Sequence, residues 1–518
     1  MAYGISRYMS TFGTVPPPAS YSSGSFRAVD LRQAGNLLRL IALGLLAASP
    51  FAVDPIAYMC ITIPVLVAPF LWVNSGAFGI PVLPVVSALS YLYYAMPLLS
   101  GNTLAVYRPE DLVWAALSVG LFLTAASLAA WPFLGEGRGR KKMPGVQAPG
   151  KARLIKTRSV NNLATNDELF RLIFIGLAAG ILYYLALASG AAGYLGTSIG
   201  VVRSVAVTLT SLACYLTGFA RGAGLLTGQR WFAALGGFLL VTALTMSGLF
   251  LVGGAVNIAA ALLGYVLAAK RIPWIMLGSV FVVLSILNAG KLNIRNQYWD
   301  RDNQSLKSSS IVQVPGMMVE WFAAGIGGTV SKALGSRQQE SSSLLERTSL
   351  LHMVLAVQEA TPGIIPYLEG GTYALLPSML VPRFLEPDKT ESQAGLNLLS
   401  VRYGRQRAED TYKTTLGWGM VAEAYANYGN PAVIVVGALF GALCGMLMRL
   451  SATAAPLSLA MLMAIASTLA LCNLELDVSS LVVSMLQTYG GILLFAALPR
   501  FVKHRPAPAM PLPRSGAR

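Results

Sequence analysis

Residues 221–271 read RGAGLLTGQRWFAALGGFLLVTALTMSGLFLVGGAVNIAAALLGYVLAAKR, and this stretch decides the fold. Two apolar runs, about 231–249 and 250–268, lie end to end between Arg221 and Arg230 on one flank and Lys270 and Arg271 on the other. As helices rising 1.5 Å per residue, each run is long enough to cross a hydrocarbon core of about 30 Å. Two crossings return the chain to the side it left, so both basic flanks are expected on one side. Lys and Arg in short loops are held back from translocation, and that side is therefore expected to be cytoplasmic.

Working outward, the same pattern recurs along the chain. Apolar stretches of roughly spanning length fall at about 37–53, 56–74, 78–99, 111–134, 168–190, 196–218, 272–289, 430–449, 454–472 and 480–500, which with the first two makes twelve. With a cytoplasmic N-terminus, every basic-rich connection falls on the cytoplasmic side: Arg7 to Arg39, Arg138 to Arg158, Arg449, and Arg500 to Arg518. The expected fold class is an all-α polytopic membrane protein of about 12 transmembrane helices, both termini cytoplasmic, with one large external loop carrying short helices. The divisions are a disordered tail 1–36, four spans in 37–134, a basic cytoplasmic linker 135–167, five spans in 168–289, the external loop 290–429, three spans in 430–500 and a tail 501–518. No short charged-then-apolar segment with a cleavage site precedes the first span, which predicts no removable signal peptide.

Composition agrees: 55% of residues are hydrophobic and only 12% charged. The net charge of +16 does not point to nucleic acid. Loop 290–429 holds 13 basic and 13 acidic residues, so the excess lies in the tails and cytoplasmic connections, where it orients the chain and attracts anionic headgroups. The four cysteines, Cys60, Cys214, Cys444 and Cys472, lie in or at the ends of apolar stretches, which argues against disulfides or a thiolate metal site.

Loop 290–429 has its own punctuation. Ser343 followed by Glu346 is a capping-box pattern, Pro362 closes the segment, and a helix over about 343–360 is expected with Leu344, Leu351 and Leu355 on one stripe. A second helix is expected from Trp418 to Tyr428, with Gly429 as its stop and Pro431 beyond. Segments 371–385 and 311–322 are apolar but too short to span, and are expected to lie in the interface or dip partly into the membrane.

The charges suggest chemistry more than transport. No ionisable residue lies clearly at the middle of a span, where an ion-coupled transporter keeps one. Arg203, at the outer end of the sixth stretch, reads either as a snorkelling arginine or as a fixed cation for a phosphate. Arg383 and Arg347 offer further cations in the loop, Arg383 at the end of the apolar segment 371–385. His352, one of two histidines, titrates near neutral pH and is a candidate acid–base group beside a structural role. Asp300 and Asp302 have the spacing of a carboxylate pair that holds a divalent ion, but a solvated turn is the stronger reading. No metal site and no cofactor is expected, and the chain carries none of the common nucleotide or hydrolase motifs.

The end of the loop, TLGWGMVAEAYANYGNP (415–431), resembles the Glu-X-Tyr-X-Asn-aromatic-Gly element of Wzy-type polymerases, which assemble O-antigen and exopolysaccharide repeat units. Upstream, residues 371–389 are similar to their Gly-X-Tyr…Pro-Arg…Pro-X-Lys element. The matching positions are Gly371, Tyr373, Pro382, Arg383, Pro387 and Lys389, then Glu423, Tyr425, Asn427 and Gly429. The resemblance implies a GT-C-like, metal-independent glycosyltransferase of the bacterial inner membrane. Such an enzyme moves a growing glycan from undecaprenyl diphosphate onto a fresh lipid-linked repeat at the periplasmic face. It implies undecaprenyl-diphosphate-linked glycans and the lipid bilayer as partners, together with a chain-length regulator and a flippase. It also implies Glu423 or His352 as general base, Arg203, Arg383 and Arg347 as diphosphate cations, and Tyr373, Lys389, Tyr425 and Asn427 as substrate contacts. O-antigen ligases share the layout; a lipid-linked oligosaccharide flippase or exporter and a non-catalytic scaffold are further readings.

Overall fold

The computed structural model describes residues 31–100, 104–134, 166–191, 199–249, 251–271, 273–300, 305–306, 314–333, 349–381, 386, 389–411, 415–454 and 457–502. It is an all-helical, polytopic membrane protein, with eight helices among the described residues long and apolar enough to cross a membrane. In chain order the helices are α1 (Leu31–Ala47), α2 (Pro55–Asn74), α3 (Val82–Ser90) continuing through a widened turn Tyr91–Ala95 into α4 (Met96–Ser100), and α5 (Pro109–Ala130). Then come α6 (Asn166–Ala188), α7 (Ile199–Gly222), α8 (Gly228–Met246), α9 (Leu251–Ala269), α10 (Trp274–Tyr298) and α11 (Val314–Ala333). The last are α12 (Leu351–Ala360), α13 (Leu376–Leu380), α14 (Ala394–Arg402), α15 (Gly419–Tyr428), α16 (Asn430–Thr453), α17 (Leu459–Leu471) and α18 (Val478–Val502). The described strands are a two-residue pair, Trp299–Asp300 against Ser305–Leu306.

Each of the twelve apolar stretches has a helix, but the edges differ from expectation. The tail 1–36 is helical from Leu31, because α1 starts a turn and more before its apolar face begins. The linker 135–167 gives way to α6 at Asn166, where Asp167 pairs with Arg230 of α8. In the stretch 454–472 the helix begins only at Leu459, because the Ser458 hydroxyl accepts the Met461 N–H and caps it there. The helix expected over 343–360 starts at Leu351: the Leu350 N–H goes to Tyr93 O (3.0 Å), which takes it out of any helix of its own. Ser343, Leu344 and Glu346 lie outside the described residues.

Between helices, close approach is bought with small residues, the usual solution in a bilayer. A Cβ on Gly218 of α7 would stand 1.8 Å from Ala261 O of α9, and one on Gly264 of α9 would stand 2.1 Å from Tyr215 O of α7. The α5–α16 pair is built the same way, with Gly441 against the Ala126 carbonyl.

The boundary of the large loop at 290 is not a break. Gly290 lies inside α10, and α11 runs back antiparallel along it: Gly325 packs on Ile286 O, Trp321 Nε1 donates to Leu287 O (2.5 Å), and Tyr298 donates to Glu320 (2.7 Å). The segment 311–322, expected to be short and interfacial, is thus largely part of a 20-residue helix.

Contacts sort the connections onto two ends of the bundle. At one end Val53 N bonds Leu98 O, the Tyr107 ring meets the edge of His352, and Gly419 N bonds Glu475 O. At the other, Ile80 N bonds Ser451 Oγ and Phe133 lies against Gly445.

Candidate functional site

α15 matches the expected helix to within one residue at its start. Gly419 opens it with φ +73°, a conformation side chains resist. A Cβ there would also press on Leu474 O and the Tyr94 hydroxyl. Gly429, φ +69°, closes it and turns the chain directly into α16. Glu423 and Asn427 are four residues apart and share a face, and both are fully buried.

That face meets two other segments. The Asn427 carboxamide donates to Thr372 Oγ1 (2.9 Å) and to Glu423 O (2.8 Å). Glu423 Oε2 accepts the Val478 N–H at 2.7 Å, the first N–H of α18. Next to it Asp477, also fully buried, accepts the Ser480 N–H on Oδ1 (3.0 Å) and so caps the same helix. Ser479 Oγ donates to Thr372 O (3.2 Å), and Leu368 N and Glu369 N bond the carbonyls of Ala426 and Asn427. The Gly371–Tyr373 element and the Glu423–Gly429 element, forty and more residues apart, are therefore one unit with the start of the last helix.

Among the described residues, four buried polar atoms in this unit have no hydrogen-bond partner: Glu423 Oε1, Asp477 Oδ2, Asn427 Oδ1 and the Tyr373 hydroxyl. Burial pushes the Glu423 carboxyl up to about 8, the Asp477 charge adds to this, and the Val478 N–H and Thr372 hydroxyl work against it. Burial also raises Asp477, against the bonds it accepts from Ser480. The Tyr373 phenol is raised by burial and then by both carboxylates. Gly395 makes room for the second acid, since a Cβ there would stand 2.0 Å from Asp477 Oδ2.

The other expected residues fall elsewhere. His352 is half-buried on α12, which packs on α15, but its Nδ1 lies 2.8 Å from Ser349 Oγ and its ring faces Tyr107. Lys389 donates to the carbonyls of Met379 (2.8 Å) and Val381 (2.7 Å), and so closes off the end of α13. Tyr425 points to the Tyr367 hydroxyl. Arg203 is exposed on α7, beside Tyr183 and Tyr184 of α6. Its neighbour Ser204 bonds Gln487 of α18, nine residues beyond Val478, which sets Arg203 about 13 Å deeper than the carboxylates at 1.5 Å per residue. Arg347, Arg383, Pro382, Pro387 and Asp302 lie outside the described residues.

The residue the sequence reading missed is Asp477. A signal was available: Glu475 and Asp477 are the only acidic residues after Glu423, and both sit in one short connection between apolar helices. Glu475 turns to the Tyr93 hydroxyl and the Lys291 charge, away from the pair. No protein-family model, curated protein or solved structure matches this chain.

Proposed function

We propose that the chain is a membrane glycosyltransferase that polymerises undecaprenyl-diphosphate-linked oligosaccharide repeat units at the periplasmic face of the bacterial inner membrane, for O-antigen or exopolysaccharide synthesis. The observation that carries this reading is the convergence of Thr372, Tyr373, Glu423 and Asn427, drawn from the two motif elements, on one buried carboxylate pair at one end of the bundle. In the topology that goes with it, all twelve apolar helices cross, both termini are cytoplasmic, and the end that carries Glu423 faces outward in a GT-C-like arrangement. In support, the Ile80–Ser451 and Phe133–Gly445 contacts group connections that lie beside Arg138 to Arg158 and Arg449 in the sequence.

In the reaction, Glu423 takes the proton of an acceptor sugar hydroxyl as that oxygen bonds to the anomeric carbon of the donor glycan. The anomeric C–O bond breaks and the electron pair leaves with undecaprenyl diphosphate. That leaving group needs cations more than a proton donor, and Arg203, Arg383 and Arg347 supply planar, permanently charged forks for it. An exposed guanidinium at the depth of Arg203 is costly in hydrocarbon, and from about 13 Å below the carboxylates its side chain has to extend back toward the outer surface to meet the diphosphate. Because Glu423 is fully buried, the acceptor reaches it only after a local opening, for which the Tyr373–Leu375 turn, preceded by Gly370 at φ +88° and Gly371, is the candidate.

Purified protein supplied with lipid-linked repeat units tests the reading. Glu423→Gln should fold, bind the donor and leave single repeats unpolymerised. Loss of donor binding or of folded protein in that variant would return Glu423 to a structural role, and transfer only to a lipid A core acceptor would make the chain a ligase.

A further inference from the structure

The first turn of α18 holds two acids. Its N–H groups at Val478 and Ser480 are taken by Glu423 Oε2 and Asp477 Oδ1, one oxygen from each carboxylate. A helix N-terminus carries the equivalent of about half a positive charge, enough to favour one anion and short of two. Among the described residues the remaining oxygens, Glu423 Oε1 and Asp477 Oδ2, are buried without a hydrogen bond, apart from the pull of the Thr372 hydroxyl on Glu423, and neither residue is exposed to water. Two carboxylates so placed cannot both be ionised at ordinary pH; one proton must stay with the pair.

We infer that Asp477 is the second carboxylate of the site, a positioning residue that shares one proton with Glu423 and sets the pH at which Glu423 becomes free to act as a base. The groups facing the pair are consistent with this. From the turn before α13 comes Tyr373, and Tyr428 of α15 acts on it in turn. From the connection 473–477 Glu475 points to Tyr93 and Lys291; from α12 His352 turns to Ser349, and Glu359 is exposed. From α14 the neighbour is Gly395, which brings only backbone. Among the described residues, the group whose charge acts on Glu423 is Asp477.

The inference rests on Glu423 being the base, but it has a consequence that does not. In purified protein, the infrared carbonyl band of a protonated carboxylic acid, titrated against pH, reads the pair directly. Wild type should show such a band at pH 7 that disappears as the pH rises, and Glu423→Gln should lack it. In Asp477→Asn, which keeps a good helix cap, the band should titrate about one unit or more lower. The acid limb of the polymerisation profile should shift the same way. A missing band in wild type, a band that persists in Glu423→Gln, or an unshifted midpoint in folded Asp477→Asn overturns the shared proton. A band that behaves as expected in protein that makes no polymer leaves the pair standing and removes the glycosyl-transfer reading.

Discussion

α7 and α10 are both apolar helices, yet 72% of the α7 segment Val202–Gly222 is buried inside the protein and only 11% of the α10 segment Trp274–Lys291. The more buried helix is the more polar one. α7 carries Thr208, Thr210, Thr217 and Gly218 on its packed faces, while α10 presents Ile275, Phe281, Val282 and Val283 outward. In a bilayer a bulky apolar side chain gains nothing from leaving lipid for protein, so small and weakly polar residues decide where helices meet. The hairpin of α10 and α11 is held by its own small core of Leu287, Ile294, Met317 and Trp321, next to Met246 and Leu249. Where α15 meets the start of α18, buried Glu423, Asn427, Asp477, Ser479 and Ser480 lie together.

The contrast breaks first at a glycine. Gly218→Leu drives a side chain into the Ala261 carbonyl and should destabilise by about 3 kcal/mol or more, abolishing folded protein. Gly278→Leu on α10, which meets nothing within 4 Å, should leave the melting profile and yield near wild type. Equal losses in size-exclusion recovery would show that the hairpin is packed as tightly as the bundle.

The second comparison sets a buried acid against an exposed one. Glu423→Gln should reduce polymer formation by about two to four powers of ten, the range for losing a general base. Glu320→Gln, whose carboxylate bonds Tyr298 and Gln297 on the hairpin, should leave it within a few-fold. A smaller loss at Glu423 than at Glu320 would move the chemistry to α11.

A third difference is in stability against pH. Glu423 holds its proton in the folded protein up to about 8, whereas the unfolded chain releases it in the ordinary carboxylate range. Between those limits the folded state binds the extra proton, so wild type loses up to about 1.4 kcal/mol per pH unit as the pH rises. Glu423→Gln loses this dependence except for the part that buried Asp477 carries. Its melting temperature should equal or fall below that of wild type in acid and exceed it above pH 8. A pH-independent gap would show that the carboxyl is not the titrating group.

The smallest effect is expected from chelation. On the proposed reading, polymer formation should be unchanged by EDTA, because arginines would suffice for a diphosphate leaving group. Loss on chelation with recovery on adding a divalent ion would bring Asp300 and Asp302 back as ligands.

Much of the architecture was legible because it depends on local signals. The apolar stretches found their helices, and the glycine stop at Gly429 placed α15 to within a residue. What escaped depends on contact across the chain. Asp477 reads as a solvated loop acid until Glu423, bonded to the next residue 55 positions away, is brought onto the same helix end. α11 was hidden for another reason: Glu320 and its run of glycines lower its apolar character, and those glycines are what let it lie against α10. His352 was chosen by residue type and Lys389 by its place in the Pro-X-Lys element, and their partners, Ser349 and two carbonyls, are visible only in three dimensions.

The pairing of α5 with α16 has a consequence for how the protein is made. Ser118 Oγ donates to Asn430 Oδ1 across 312 residues of chain. A ribosome therefore lays down α5 long before its main partner exists, and the helix must wait in lipid with a polar group on the face it will later bury. The same hydroxyl lies within reach of Trp114 O, one turn back on its own helix. During synthesis that bond gives the serine a resting place, and the arrival of the C-terminal third exchanges a provisional partner for a permanent one.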